Sequence, residues 1–187
     1  RRQHAVYPVR AAFVDDERED AAARADCDEA AEVTDPGAEK FAMASYDYTK
    51  PGYLTDSITV YGVVDGSKFV DAEIPAGKAL VSTGVSVKFG LNSGDSITLD
   101  EKYKRDASYK LDIAGVYDYE SSLAVFMNID DFARTFGEEE GYFTGYFSNT
   151  ELTELPDDDV ATVITASDYT KLSTQLMVSM GGMMNLI

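Results

Sequence analysis

The spacing of hydrophobic and polar positions changes character along the chain, and the change divides it into segments. Residues 15–32 interleave acids with alanines (Ala21, Ala22, Ala23, Ala25, Ala30, Ala31) and contain no Gly or Pro until Pro36-Gly37. Alanine and glutamate favour helix, so this stretch predicts one exposed helix with a thin apolar face. From Phe41 the texture becomes that of strands. Phe41–Tyr48 and Ser57–Val64 are short β-type runs separated by the turn signal Lys50-Pro51-Gly52, and Asp65-Gly66 marks the next turn.

Ala79–Ser82 reads as a short apolar strand, followed by about two helical turns over Thr83–Phe89 that Gly90 stops. Leu91-Asn92-Ser93-Gly94-Asp95 is a tight turn into the strand Ser96–Leu99. In Ser108–Tyr119, Tyr109, Leu111 and Ile113 alternate with Lys110 and Asp112, which predicts a half-buried strand. Leu123–Met127 is another strand, and Asn128 caps a short helix. The apolar positions of that helix, Ile129, Phe132, Ala133 and Phe136, fall at i, i+3, i+4 and i+7, and Gly137 closes it.

Tyr142–Ser148 and Val160–Thr165 complete the strands, and Ser167 caps a last helix with Tyr169, Leu172, Leu176 and Met180 on one face. Strands and short helices mix without regular βαβ alternation. The fold class is therefore α+β, with a mixed or antiparallel sheet and short helices.

Composition narrows the function. The chain has 187 residues, with 44% apolar and 27% charged, an ordinary globular balance. Acids outnumber Lys and Arg 34 to 16, a net charge of −18, which repels nucleic acid and anionic headgroups alike. A nucleic-acid partner is excluded on that ground. Twelve Tyr and nine Phe with no Trp suit half-buried strands, where a ring packs and a phenol edge stays wet.

Reactive groups are scarce. Cys27 is the only cysteine and sits among Asp26, Asp28 and Glu29, so it supports no intramolecular disulfide or thiolate cluster. His4 is the only histidine and lies near the N-terminal end, a poor place for a preorganised base. Gly137, Gly141 and Gly145 read as turn glycines rather than a phosphate cradle. Asp157-Asp158-Asp159 and Glu138-Glu139-Glu140 lack the spacing that wraps a cation and read as solvated loops. No catalytic, cofactor-binding or metal-ligating residue is singled out, and no cofactor is expected.

A resemblance enters at Ala79–Leu99, Ala-Leu-Val-Ser-Thr-Gly-Val-Ser-Val-Lys-Phe-Gly-Leu-Asn-Ser-Gly-Asp-Ser-Ile-Thr-Leu. It resembles the strand, short helix, Gly-Leu-x-x-Gly-Asp turn and strand of extracytoplasmic domains in the FtsX-like permease family, which includes the MacB-type transporters. Ile113-Ala114-Gly115-Val116 is similar to the ending of that family's next strand. Phe126-Met127-Asn128 through Phe136-Gly137 is similar to the strand and capped helix that follow, and Ser167–Met180 would correspond to the helix returning to the membrane. Within the turn, Gly90 ends the helix, Leu91 is expected as a buried core anchor, and Gly94-Asp95 makes the reversal.

The resemblance implies a MacB-like core domain outside the cell, inserted between transmembrane helices of an ABC transporter permease in the cell membrane. ATP would be hydrolysed by a separate cytoplasmic subunit, so the chain itself is expected not to be an enzyme but to present a partner-docking surface built from Tyr and Phe. Expected partners are that ATPase, a second permease in a dimer, and an envelope protein, peptide or lipoprotein. The expected division is a helical lead (1–40), a core (41–166) and a return segment (167–187). Within the last, Leu176–Ile187 is apolar and uncharged and reads either as a helix packed on its own domain or as the start of a membrane span. Two other functions stay open at this point: a free-standing extracellular binding or adhesion module, and a hydrolase working through two carboxylates.

Overall fold

The computed structural model describes residues 10–14, 33–102, 107–149, 152 and 160–165. In chain order the elements begin with β1 (Arg10–Val14), β2 (Glu39–Tyr48), β3 (Asp56–Val63), β4 (Ala79–Ser82), α1 (Thr83–Phe89) and β5 (Ser96–Asp100). They continue with β6 (Ser108–Tyr117), β7 (Ala124–Asn128), α2 (Ile129–Phe136), β8 (Gly145–Ser148) and β9 (Val160–Thr165). The chain divides into two compact units, residues 40–144 and residues 1–39 with 145–187. The architecture is α+β.

In the unit made from both chain ends, β1 pairs antiparallel with β8 on one side and β9 on the other, setting Ala12 opposite Tyr146 and Val163. The sequence reading assigned no strand to 10–14. The acidic helix expected at 15–32 and the helix expected from Ser167 lie outside the described residues.

The 40–144 unit is a ring of strands. Neighbours run β3-β7-β4-β6-β5-β2, and β2 pairs with β3 again, so the sheet closes on itself. Pairing is mixed: β3–β7 and β4–β6 are parallel, while β2–β3, β4–β7 and β5–β6 are antiparallel. The closing contact between β5 and β2 sets Asp47 opposite Asp100. Period-two alternation sends one side of each strand into a shared core: Ala42 and Tyr46, Ile58 and Val60, Ala79 and Val81, Ile97 and Leu99, Leu111 and Ile113, Val125 and Met127. Both helices feed the same core, α1 through Val85 and Phe89 and α2 through Phe132 and Phe136.

Gly62 is where α2 meets β3 most closely. A Cβ there would lie 2.8 Å from the Phe132 Cβ, so only glycine lets the helix approach this far. Two expectations shift slightly. Tyr142–Thr144 precede β8 rather than belonging to it, because the Thr144 N–H donates to the Phe41 carbonyl at 2.8 Å and the Tyr142 N–H closes a turn on Glu139. Leu91 is half-buried and packs against the core from its rim instead of entering it.

Candidate docking surface

Local chemistry sets both helices. The Ser82 hydroxyl accepts from the Val85 N–H at 3.3 Å and caps α1. Gly90 ends α1 in the left-handed region, φ 72°, and its N–H donates to Ser86 at 2.7 Å. The turn that follows is held by its own side chains. The Asp95 carboxylate accepts from the Asn92 N–H at 2.9 Å, and the Asn92 amide donates back to the Gly90 carbonyl at 3.2 Å. Gly94 takes φ 94° and donates its N–H to Ile113, which fixes β5 beside β6. Gly90, Asn92, Gly94 and Asp95 of this turn thus each have a structural task.

Among the described residues many aromatic rings pack on one another. Tyr46 stacks on Phe136 at 4.5 Å between centroids, and Tyr109 meets both rings edge-on. Burial pushes the Tyr46 phenol far above its ordinary value, with further upward pressure from Tyr109, Glu101 and Glu138. The Tyr109 phenol is raised as well, by burial first and then by its hydrogen bond to Glu101, at 3.2 Å. A second cluster gathers on Phe126, with Tyr61 stacked at 5.3 Å and Tyr117 and Tyr119 edge-on. The buried Tyr46 phenol is a packing element held in its neutral form.

Exposed apolar area is concentrated elsewhere. Leu54 is 88% exposed and Tyr53 49%, both at the tip of the β2–β3 hairpin, and Val87 on α1 is 81% exposed. The tip is pinned to the end of α1. The Lys50 ammonium donates to the Phe89 carbonyl at 2.5 Å and lies 5.1 Å from the Tyr53 ring centre. Lys88 pairs with Asp56 at 2.6 Å, and the Thr49 and Thr55 hydroxyls close the loop at 2.7 Å. The Tyr53 ring meets Phe89 edge-on at 6.2 Å. This arrangement holds a large apolar side chain in solvent on a fixed support, and it offers contact area rather than a reacting group. Two apolar residues placed directly after Pro51-Gly52 were the sequence signal for it, since turn tips are ordinarily polar.

The acidic runs divide. Glu138–Glu140 are exposed on the turn after α2, while Asp157–Asp159, like His4 and Cys27, lie outside the described residues. Among the described residues no group of three or more His, Cys, Asp or Glu is placed to hold a metal ion. No described helix is long and apolar enough to cross a membrane.

The geometry therefore defines an α+β domain with a supported apolar tip. No protein-family model and no curated protein matches the chain. Several solved structures are similar to it. One is the extracellular domain of the noncanonic ABC-type transporter YknZ from Gram-positive bacteria, at 13% identity and TM-score 0.47, covering 79% of this chain and 85% of that one. Another is the periplasmic region of MacB from Actinobacillus actinomycetemcomitans, at 10% identity and TM-score 0.46, covering 95% of this chain and 85% of that one.

Proposed function

We propose that the chain is the extracytoplasmic domain of an FtsX-like ABC transporter permease. In this reading it relays conformational change, or contacts cargo or a partner protein, at the cell envelope. The observation that carries it is the segment Ala79–Asp100. Its sequence resembles that family's signature, and it folds as strand, capped two-turn helix, left-handed Gly90, Gly94-Asp95 reversal and strand. The lead 1–40, core 41–166 and return segment 167–187, with Leu176–Ile187 opening a membrane span, belong to the same proposal.

Such a domain needs shape and a surface, since energy enters through a cytoplasmic ATPase partner, and a permease dimer brings two copies together. The domain on its own is then not an enzyme. The supported tip at Tyr53 and Leu54 gives it contact area of the required kind. The test is the coding sequence on either side of the chain. An apolar run of ~20 residues should continue from Leu176–Ile187 and end in positive charge. A charged continuation within a few residues favours the free-standing binding module instead. Calorimetric titration with ATP should give no heat of binding, and micromolar binding would overturn the non-enzyme reading.

A further inference from the structure

Residues 64–78 connect β3 to β4 without forming a strand or helix of their own. The segment runs over the outer side of the strand ring. Val125 and Met127 of β7 point into the core, so Phe126 between them points outward, yet it is only 3% exposed. Tyr61, Tyr117 and Tyr119 surround it and form an aromatic shelf on that outer side. The segment reaches this shelf at Asp71, whose backbone hydrogen-bonds the Tyr117 hydroxyl, and the neighbouring Val70 is buried.

Both ends of the segment are gripped by one turn of one helix. At the near end the Asn128 amide donates to the Asp65 carboxylate at 2.7 Å. At the far end the Gly77 N–H donates to the Asp131 carboxylate at 2.6 Å. Asn128 is also the cap of α2, accepting from the Asp130 and Asp131 N–H groups, and Arg134 pairs with Asp131 from the next turn. Between these grips, Gly66, Lys68, Asp71, Glu73 and Pro75 are exposed. Segments outside any ladder open locally at lower free energy than laddered strands do.

We propose that residues 64–78 are a lid on the aromatic shelf, opening as a unit while the strand ring stays folded, with the first turn of α2 as its clasp. Opening withdraws Val70 and uncovers Tyr61, Tyr117 and Phe126. What occupies the shelf in the closed form is this segment of the chain itself.

Hydrogen exchange on the full chain tests the lid with two variants that break the same grip from opposite sides. Asp65→Ala removes the acceptor on the lid. Asn128→Ser removes the amide donor but keeps an oxygen to cap α2. Amides of residues 67–74 should exchange about tenfold faster in each variant, the size expected for a lost hydrogen bond to a charged group. In low urea, exchange of residues 67–74 should depend only weakly on denaturant while β6 and β7 exchange with the steep dependence of global unfolding, and acylation by N-acetylimidazole should rise at Tyr61 and Tyr117. If the lid amides share the steep urea dependence of the strand amides, or neither variant changes residues 67–74, the lid does not exist as an independent unit.

Discussion

α1 and α2 are built on the same local plan and tied to different parts of the molecule. Each begins at a side-chain oxygen cap, Ser82 or Asn128, and each ends at a left-handed glycine, Gly90 or Gly137. The Ser82 hydroxyl is fully buried. Besides capping α1 it accepts from the Ala124 N–H at 3.0 Å and donates to the Ser122 carbonyl at 3.0 Å, so it stitches the helix start to β7 and the loop before it. Asn128 instead reaches outward to Asp65 on the connecting segment. A cap joined to a ladder shares the rigidity of the ladder. A cap joined to an unladdered segment governs something that can move.

The largest expected effect tests whether α2 is nevertheless part of the core. Phe132 is almost fully buried and packs on Gly62, Phe136 and Tyr142. Phe132→Ala should cost about 3–5 kcal/mol in a urea melt. A loss below about 1 kcal/mol would mean that the helix lies on the ring rather than closing it.

The contrast between the caps predicts the next effect. Ser82→Ala leaves the Val85 and Ala124 N–H groups without their acceptor in a dry site and should destabilise by about 1–3 kcal/mol. Asn128→Ser keeps its capping oxygen and loses only the bond to Asp65, so it should cost about 1.4 kcal/mol, the tenfold expected at residues 67–74. Ser82→Ala should in addition speed exchange of the Val85 and Ala124 amides, which lose their acceptor, and unchanged exchange there would erase the distinction drawn between the helices.

Leu91 sits at the rim between α1 and β5, and its half-burial scales down what a core leucine would lose. Leu91→Ala should cost about 1–2 kcal/mol by differential scanning calorimetry, below the usual range for a fully buried leucine. A larger loss would return it to the core position that the sequence suggested.

Both helices could be read to the residue because caps and glycine stops are local chemistry, written within a few positions of Ser82, Gly90, Asn128 and Gly137. Ring closure is not local. Nothing near Asp47 or Asp100 announces that they will face one another, and the pairing of β1 depends on strands far away in sequence. Ala11-Ala12-Phe13 is too short and too weakly alternating to read as a strand by itself. Tyrosines were ambiguous for another reason. A phenol suits a half-wet surface and a stacked interior equally well, so the sequence could not place Tyr46 inside and Tyr53 outside. Gly62 did carry a signal, since a glycine within a strand marks a close approach.

Buried Tyr46 and three half-buried tyrosines give a pH test of that inside–outside distinction. Tyr46, Tyr48, Tyr109 and Tyr117 all have phenols raised above the ordinary value of 10.0, with burial as the first cause in each. A raised folded value means that their contribution is fully present below pH 10 and is lost as the pH rises beyond it, because the unfolded chain ionises first. The melting temperature should therefore fall steeply above pH 10. Absorbance at alkaline pH should show some tyrosines ionising only with unfolding, and a single titration at the ordinary value would place all the rings in solvent.

The smallest effect on stability is expected at the hairpin tip, and it separates a docking residue from a packing one. Leu54 is 88% exposed on a loop already held by Lys50 at Phe89, by Thr49 at Thr55 and by Lys88 at Asp56. None of these ties uses the leucine side chain. Its removal therefore takes away exposed apolar area without opening a cavity or freeing a hydrogen-bonding group. Leu54→Ser should leave the urea midpoint within about 0.5 kcal/mol of wild type. A loss comparable to that of Leu91→Ala would show that the leucine packs on its own domain in solution, and the supported tip would then be a fold element rather than a surface held out for a partner.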